Sequence, residues 1–368
     1  MGHGFDFAYL NQIASNERGD WVVSPLGMQF LLGMLVNGAN GVTAEQIYEV
    51  MGYGKGEEEE VNLLNQTFIE QLPFLDNRTV FSIANAVFVN NKAEIRTEYK
   101  NAVVHYYQAE VENIDFSKSS SINKINGWCD MQTSGKIPKI VDNKPSPDML
   151  AILLNALYFQ GEWKDKFPKS ATTREAFYLE SGKRKNVPMM KLTSEQLMYG
   201  SVDAIGSMVQ IPFGNGSFVI NIIKPDKSIN LKKLLELLDE TDRCWDTLIE
   251  HLTPSEVELW LPRFEIDYNI KVNDVLSKMG MPYAFQSDKA DFTNLSRKSG
   301  SLDCVRQRVS ISIDEEGAKV AVVSSAEMQL GSADPWEKVS FHADSPFLYL
   351  IRENRTGAIL FAGCYTGK

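Results

Sequence analysis

Residues 305–313 alternate between two kinds of side chain, and together with the long segment after them they restrict the folds open to this chain more than any other feature. Val305, Val309, Ile311 and Ile313 fall on one side with Gln307 among them, and Arg306, Arg308, Ser310 and Ser312 fall on the other. That is the two-residue period of a strand with one buried face. The strand ends in Asp314-Glu315-Glu316-Gly317, and twenty residues, Ala318 to Glu337, separate it from the next strand-like run. Connections of that length inside compact domains are uncommon and are usually functional or unstructured. From Ala318 to Met328 the even positions (Ala318, Val320, Val322, Ser324, Ala326, Met328) are uncharged and mostly apolar, and both charges, Lys319 and Glu327, fall on odd ones. The segment carries the pattern of a strand with a face meant for burial. It reads either as an ordinary buried strand in a fixed hairpin or as a strand held outside in a loop.

The rest of the chain reads as mixed α and β. Ser24-Pro25 starts a helix, a hydroxyl cap followed by a proline whose missing N–H costs nothing there. Met28 to Val36 is apolar nearly all round and belongs deep in a core. Thr43 followed by Gln46 predicts a capping box for the next helix. Phe81–Val89 is a strand, and Ile122–Gln132 an amphipathic helix. Ala151–Phe159 is a nearly continuous apolar run interrupted by Asn155, as expected of a strand covered on both faces whose amide must find a partner. Lys338–Leu350 and Ala358–Cys364 are two more strands, joined by a turn around Asn354–Gly357. Helices dominate early and strands late, in a fold of mainly antiparallel sheet.

Several functions are excluded or disfavoured. A net charge of −11 over 368 residues argues against a nucleic-acid or anionic-membrane surface. No apolar stretch approaches the roughly 18 residues a membrane span needs. The start, Met1-Gly2-His3-Gly4, lacks a basic-then-apolar export signal, so such a signal was removed or never existed. Cys129, Cys244, Cys304 and Cys364 are too far apart for a metal knuckle or a redox pair, and read as free, mostly buried thiols. Glu57-Glu58-Glu59-Glu60 reads as a solvated helix start. Gly52-Tyr53-Gly54-Lys55-Gly56 has the wrong spacing for a dinucleotide fingerprint. No nucleophile elbow, zinc-protease helix or phosphate loop occurs, and His3, His105, His251 and His342 stand apart. Five glycosylation sequons begin at Asn65, Asn77, Asn215, Asn294 and Asn354.

The chain resembles the serpins from end to end. The hinge Asp314-Glu315-Glu316-Gly317-Ala318 is similar to the family's segment before its reactive loop, and Asn155 to Trp163 (NALYFQGEW) matches one of its most specific motifs. Ser24-Pro25-Leu26, Asn126 to Lys136, Val187 to Met190, Leu261 to Phe264 and Ala343 to Phe347 match in family order. The resemblance implies an α+β fold of about nine helices around three sheets, in a single domain over residues 1–368 with a reactive-centre loop at about 317–337. It also implies suicide inhibition: a protease cleaves the loop, and the loop enters the main sheet before the acyl-enzyme can hydrolyse. Insertion of about a dozen residues would add about ten hydrogen bonds at roughly 0.5–1.5 kcal/mol each. Burial of Val320 and Val322 would contribute about 1.5–3 kcal/mol apiece. A charge on the buried face would forfeit several kcal/mol of this, and that face carries none.

The resemblance assigns residue roles. Gly317 is the pivot, following Glu315 and Glu316, and Ala318 is the small residue that enters first, ahead of Val320 and Val322. Arg263 and Glu315 are expected to pair near Trp163 at the loop's entry. Ser24, Asn155 and Gln307 lie where the sheet opens; Gln307 stands where many serpins carry a histidine, and Gly27 where a small hydroxyl is usual. An amide both donates and accepts, so that network keeps its bonds without the histidine's pH sensitivity. Counting from the hinge puts the reactive bond at Leu330–Gly331 or Gly331–Ser332. Leu330 or Met328 suits chymotrypsin-, elastase- or subtilisin-like proteases, with cysteine proteases as further candidate targets. No Arg or Lys occurs between Val320 and Glu337, which disfavours trypsin-like ones. The expected protein is a monomeric inhibitor with a covalent protease partner, no cofactor and no metal, extracellular or in the cell envelope by resemblance. A non-inhibitory carrier or chaperone is the alternative and a hydrolase a distant third. The acidic Glu57–Glu60 run gives no support for heparin-type activation.

Overall fold

Helix α2 begins as its chemistry requires. Ser24 Oγ accepts from Gly27 N at 2.9 Å, and Pro25 takes the first helical position. Every residue of this helix except Gln29 is buried, so it is packed on all sides. The protein is described by a computed structural model covering residues 3–298, 300–317 and 338–368. Its helices are α1 (Gly4–Asn16), α2 (Pro25–Gly38), α3 (Gly41–Met51), α4 (Glu58–Gln71), α5 (Thr97–Tyr107), α6 (Ser120–Gln132), α7 (Leu231–Glu240), α8 (Asp242–Glu250) and α9 (Asn273–Met279). The first strands are β1 (Trp21–Val23), β2 (Thr79–Asn90), β3 (Glu110–Ile114), β4 (Ala151–Gly161), β5 (Thr173–Tyr178), β6 (Arg184–Val202) and β7 (Gly206–Phe213). The remaining strands are β8 (Phe218–Pro225), β9 (Thr253–Pro262), β10 (Phe264–Lys271), β11 (Leu302–Ile313), β12 (Lys338–His342), β13 (Phe347–Glu353) and β14 (Ile359–Tyr365).

Five strands form one sheet in the order β10-β11-β4-β2-β3. The pairing of β4 with β11 is parallel, from Ala151↔Leu302 to Tyr158↔Ser310, whereas β4–β2 and β10–β11 are antiparallel. The other strands join through β6, which runs for 19 residues with a register shift between Ser194 and Leu197. Its first part lies in β5-β6-β9-β12, and its last part, Met198–Val202, pairs with β7 and so leads to β8, β13, β14 and β1. Because one long strand serves both groups, two of the expected three sheets run together as one among the described residues.

Both faces of the five-stranded sheet are covered. Leu153, Leu157, Phe159, Val305 and Val309 face the main core with α2. Ala84, Phe88, Ile152, Leu154 and Ala156 face α6 through Ile125 and Trp128. The apolar continuity of residues 151–159 follows from that double burial. Asn126 ties down the segment after α6, its Oδ1 accepting from Ile140 N and Val141 N. The four cysteines are free; Cys129, Cys304 and Cys364 are buried, and burial pushes the Cys129 thiol up to about 12.

Two expectations need correction, and one sequon proves to be buried. Thr43 does not cap a helix: α3 starts at Gly41, Thr43 Oγ1 accepts from Asp291 N, and Gln46 Oε1 accepts from Tyr283 N. Both side chains serve a tertiary contact that sequence spacing cannot show. Residues 338–350 form two strands rather than one, because the chain breaks between His342 and Phe347. There Asp344 pairs with Lys224 at 2.5 Å and Pro346 supplies no N–H. Asn65, one of the five sequon residues, is 2 % exposed and hydrogen-bonded to Tyr107 Oη, so it presents no acceptor on the folded surface.

Candidate functional site

Beyond β11 the acidic run turns back on itself. Asp314 N donates to Gly317 O at 2.9 Å and Gly317 N to Asp314 O at 3.2 Å, closing a tight reversal. The returning arm lies against the end of β4: Glu162 and Gly317 form an antiparallel bridge, and Trp163 N donates to Glu316 O at 3.0 Å. Gly317 therefore carries one rung of antiparallel pairing toward the β11 side and one toward the β4 side. Its φ is 133°, and a Cβ there would sit 2.1 Å from Gly161 O and 2.7 Å from Trp163 N. Conformation and space both require glycine at this position.

Trp163 anchors the turn. Its indole Nε1 donates to Asp314 O at 2.8 Å, and its buried ring stacks on Phe213 at 4.5 Å. Glu315 is buried and accepts from Thr172 Oγ1 at 2.7 Å, with Arg263 at 3.6 Å completing the expected pair. The Arg263 side chain is half exposed, so solvent screens that pair and the Thr172 bond holds Glu315 more firmly. Glu316 lies between Lys169 at 2.8 Å and Lys166 at 2.9 Å. These two ammonium groups, Lys169 first, hold its carboxyl below the ordinary range. Lys169, Thr172, Arg174, Arg263 and Glu315 line an open cleft of about 430 Å³ beside the turn.

The second cluster lies lower, where β4 and β11 touch directly. Gln307 and Asn155 are register partners, as are Asn155 and Asn85 of β2. Their amides form a row: Gln307 Nε2 donates to Asn155 Oδ1 at 3.1 Å, and Asn155 Nδ2 to Asn85 Oδ1 at 2.8 Å. Asn85 Nδ2 ends the row on Tyr107 O at 3.0 Å. Gln307 also clasps the cap of α2, accepting from Ser24 N at 2.7 Å and donating to Ser24 O at 3.0 Å. Ser24 Oγ donates to Leu360 O at 2.5 Å. The structure thus brings together Ser24, Asn155 and Gln307 in one place, and Trp163, Arg263 and Glu315 to Gly317 in another.

Sequence reasoning missed Asn85, Lys166, Lys169 and Thr172. Asn85 interrupts the apolar run of β2 as Asn155 interrupts that of β4, and that parallel was readable. The other three look like ordinary surface residues, and only the tertiary fold sets them at the turn. The expectations for Ala318, Val320, Val322, Met328, Leu330, Gly331 and Ser332 lie outside the described residues. Among the described residues no group of three metal-ligating side chains occurs. No helix among them is long and apolar enough to cross a membrane.

The family model described as Serpin (serine protease inhibitor) matches residues 3–367. Human glia-derived nexin is 30% identical over 379 residues, covering 99% of this chain and 92% of the relative. Iripin-8 of Ixodes ricinus is 31% identical over 366 residues, covering 96% and 89%. The solved structure of the thermophilic serpin tengpin in its native state superposes with a TM-score of 0.89 at 26% identity, covering 100% of this chain and 93% of tengpin. With the five-stranded sheet, its hinge turn and the amide row, these matches have one reading: the chain belongs to the serpin family.

Proposed function

We propose that this serpin is an irreversible suicide-substrate inhibitor of serine proteases. The observation that carries the reading is the two-sided seating of Gly317, with a rung toward β11 and a rung toward the continuation of β4. A strand growing from that point between β4 and β11 would be antiparallel to both. It would replace one parallel ladder by two antiparallel ones, which are slightly more stable per residue. Its even-numbered side chains, Ala318, Val320 and Val322, would give it an uncharged face to bury. The reaction requires the cleaved loop to enter before water reaches the acyl-enzyme, so the pre-formed turn shortens the search. We assign residues 1–368 to a single serpin domain, the reactive loop to about 317–337 and the cleaved bond to Leu330–Gly331 or Gly331–Ser332. The preferred targets are chymotrypsin-, elastase- and subtilisin-like enzymes.

Incubation with these three proteases tests the reading. An inhibitor gives an SDS-stable covalent complex and a cleaved form that resists heat. Clean cleavage without complex or stabilisation would point to a carrier, and repeated turnover of a small ester to a hydrolase. Ala318→Arg places a charge on the entering face and should convert inhibitor to substrate. Undiminished inhibition by that variant would contradict the hinge assignment.

A further inference from the structure

The sequon Asn65-Gln66-Thr67 lies on α4, and its acceptor atom faces the core. Asn65 is 2 % exposed, and its Nδ2, the atom that would carry a sugar, donates to Tyr107 Oη of α5 at 3.4 Å. Tyr107 Oη donates in turn to Asn62 Oδ1 at 2.6 Å, and Asn62 exchanges two amide bonds with Asn37 of α2. Opposite this group stands Gly33 of α2, where a Cβ would lie 2.8 Å from Asn65 Nδ2 and 2.2 Å from Tyr107 Oη. A gap too small for a methyl group has no room for a sugar ring, whose hydroxyls would also lose water without gaining partners. The other four sequons differ. Asn77, Asn215, Asn294 and Asn354 are exposed in turns, where an attached sugar reaches solvent.

Order along the chain decides whether folding can shield Asn65. Tyr107 follows it by 42 residues, about 2–8 s of synthesis at roughly 5–20 residues per second. An oligosaccharyl transferase acting on the chain as it crosses a membrane therefore meets Asn65 before α5 exists. In that transfer Asn65 Nδ2 attacks the anomeric carbon of a lipid-linked oligosaccharide pyrophosphate. One N–C bond forms, one C–O bond breaks, the pyrophosphate leaves and the amide gives up one proton. We infer that glycosylation of Asn65 and this fold exclude each other, so that the chain matures only on a route without that transferase. The cytosol is one such route, and export from a cell that lacks the enzyme is the other. The inference stands apart from protease inhibition and does not depend on it.

Sending the full chain through the secretory pathway of a mammalian cell, behind a cleavable export signal, tests this. The wild-type chain should carry a glycan at Asn65, located by mass spectrometry after glycosidase treatment, and should stay in the cell unfolded. Thr67 is exposed, and Thr67→Val destroys the sequon while leaving Asn65 in place and helix propensity nearly unchanged. It should raise the yield of secreted, folded protein by about tenfold or more. Made in the cytosol of a bacterium, the two proteins should share one unfolding midpoint, since only the surface bond of Thr67 Oγ1 to Leu63 O is lost. Folded wild-type protein in the medium, with Asn65 modified or unmodified, would overturn the inference. So would a Thr67→Val chain retained as fully as the wild type, or a cytosolic Thr67→Val protein stable enough to explain its own rescue.

Discussion

The hinge turn and the amide row close the same seam with opposite chemistry. At the top, Glu315 and Glu316 are held by Thr172, Arg263, Lys166 and Lys169, in a cleft open to water. Lower down, Asn85, Asn155, Gln307 and Ser24 are neutral, buried and bonded to one another. An exposed ionic contact is cheap to break because water re-solvates both charges. A buried amide has no such replacement and costs its full desolvation when parted. At the hinge the cheap contacts are therefore the solvent-accessible ones of Glu316, whereas buried Glu315, Trp163 and the amide row are the costly ones to part.

The strongest way to break this contrast is Trp163→Ala. It removes a fully buried ring stacked on Phe213 and the donor to Asp314 O, and should cost about 3–5 kcal/mol in denaturant unfolding. A loss below about 1 kcal/mol would show that the turn does not depend on its anchor. Gly317→Ala comes next, on the order of 3 kcal/mol, from positive φ together with the clash on Gly161 O. An unchanged midpoint would mean that the turn is free to rearrange. Asn155→Ala takes the donor from Asn85 Oδ1 and the acceptor from one hydrogen of Gln307 Nε2, and should cost about 1–3 kcal/mol, read from the same unfolding curves.

The smallest effect sharpens the contrast through pH. The folded-state value of Glu316 lies below the ordinary 4.5. Its contribution to stability is thus present above that ordinary value and is lost as pH falls through the lowered one. Glu316→Gln should remove that part of the acid limb, whereas Gln307→Ala should leave its shape unchanged because the amide row has no carboxylate. An acid limb identical in wild type and Glu316→Gln would refute the hinge half of the comparison.

Much of the fold and part of the site are legible in the sequence. The interruption of an apolar run by Asn155 announces a partnered amide, because an unpaired one in that run would be prohibitively costly. The alternation of residues 305–313 announces β11 and puts Gln307 on its buried face, as observed. Ser24-Pro25 announces the start of α2. Thr43 and Gln46 mislead, since a hydroxyl and an amide at capping spacing bond just as well to another segment, here residues 283 and 291. The break at Ala343–Pro346 was legible, because Asp344-Ser345-Pro346 is a turn sequence between two strand-forming runs.

By itself, the sequence determined what is local: periodicity, caps, the glycine of the hinge and the uncharged face of the segment after it. Those depend on side-chain chemistry and spacing along the chain. Only the tertiary structure decided that β4 and β11 are parallel neighbours, that Gly317 reaches both sides of their seam, and that Gly27 must stay small for Gln307 and Asn155 to meet. Each of these depends on at least one contact between residues more than a hundred positions apart, set by packing of the whole core rather than by any stretch of chain.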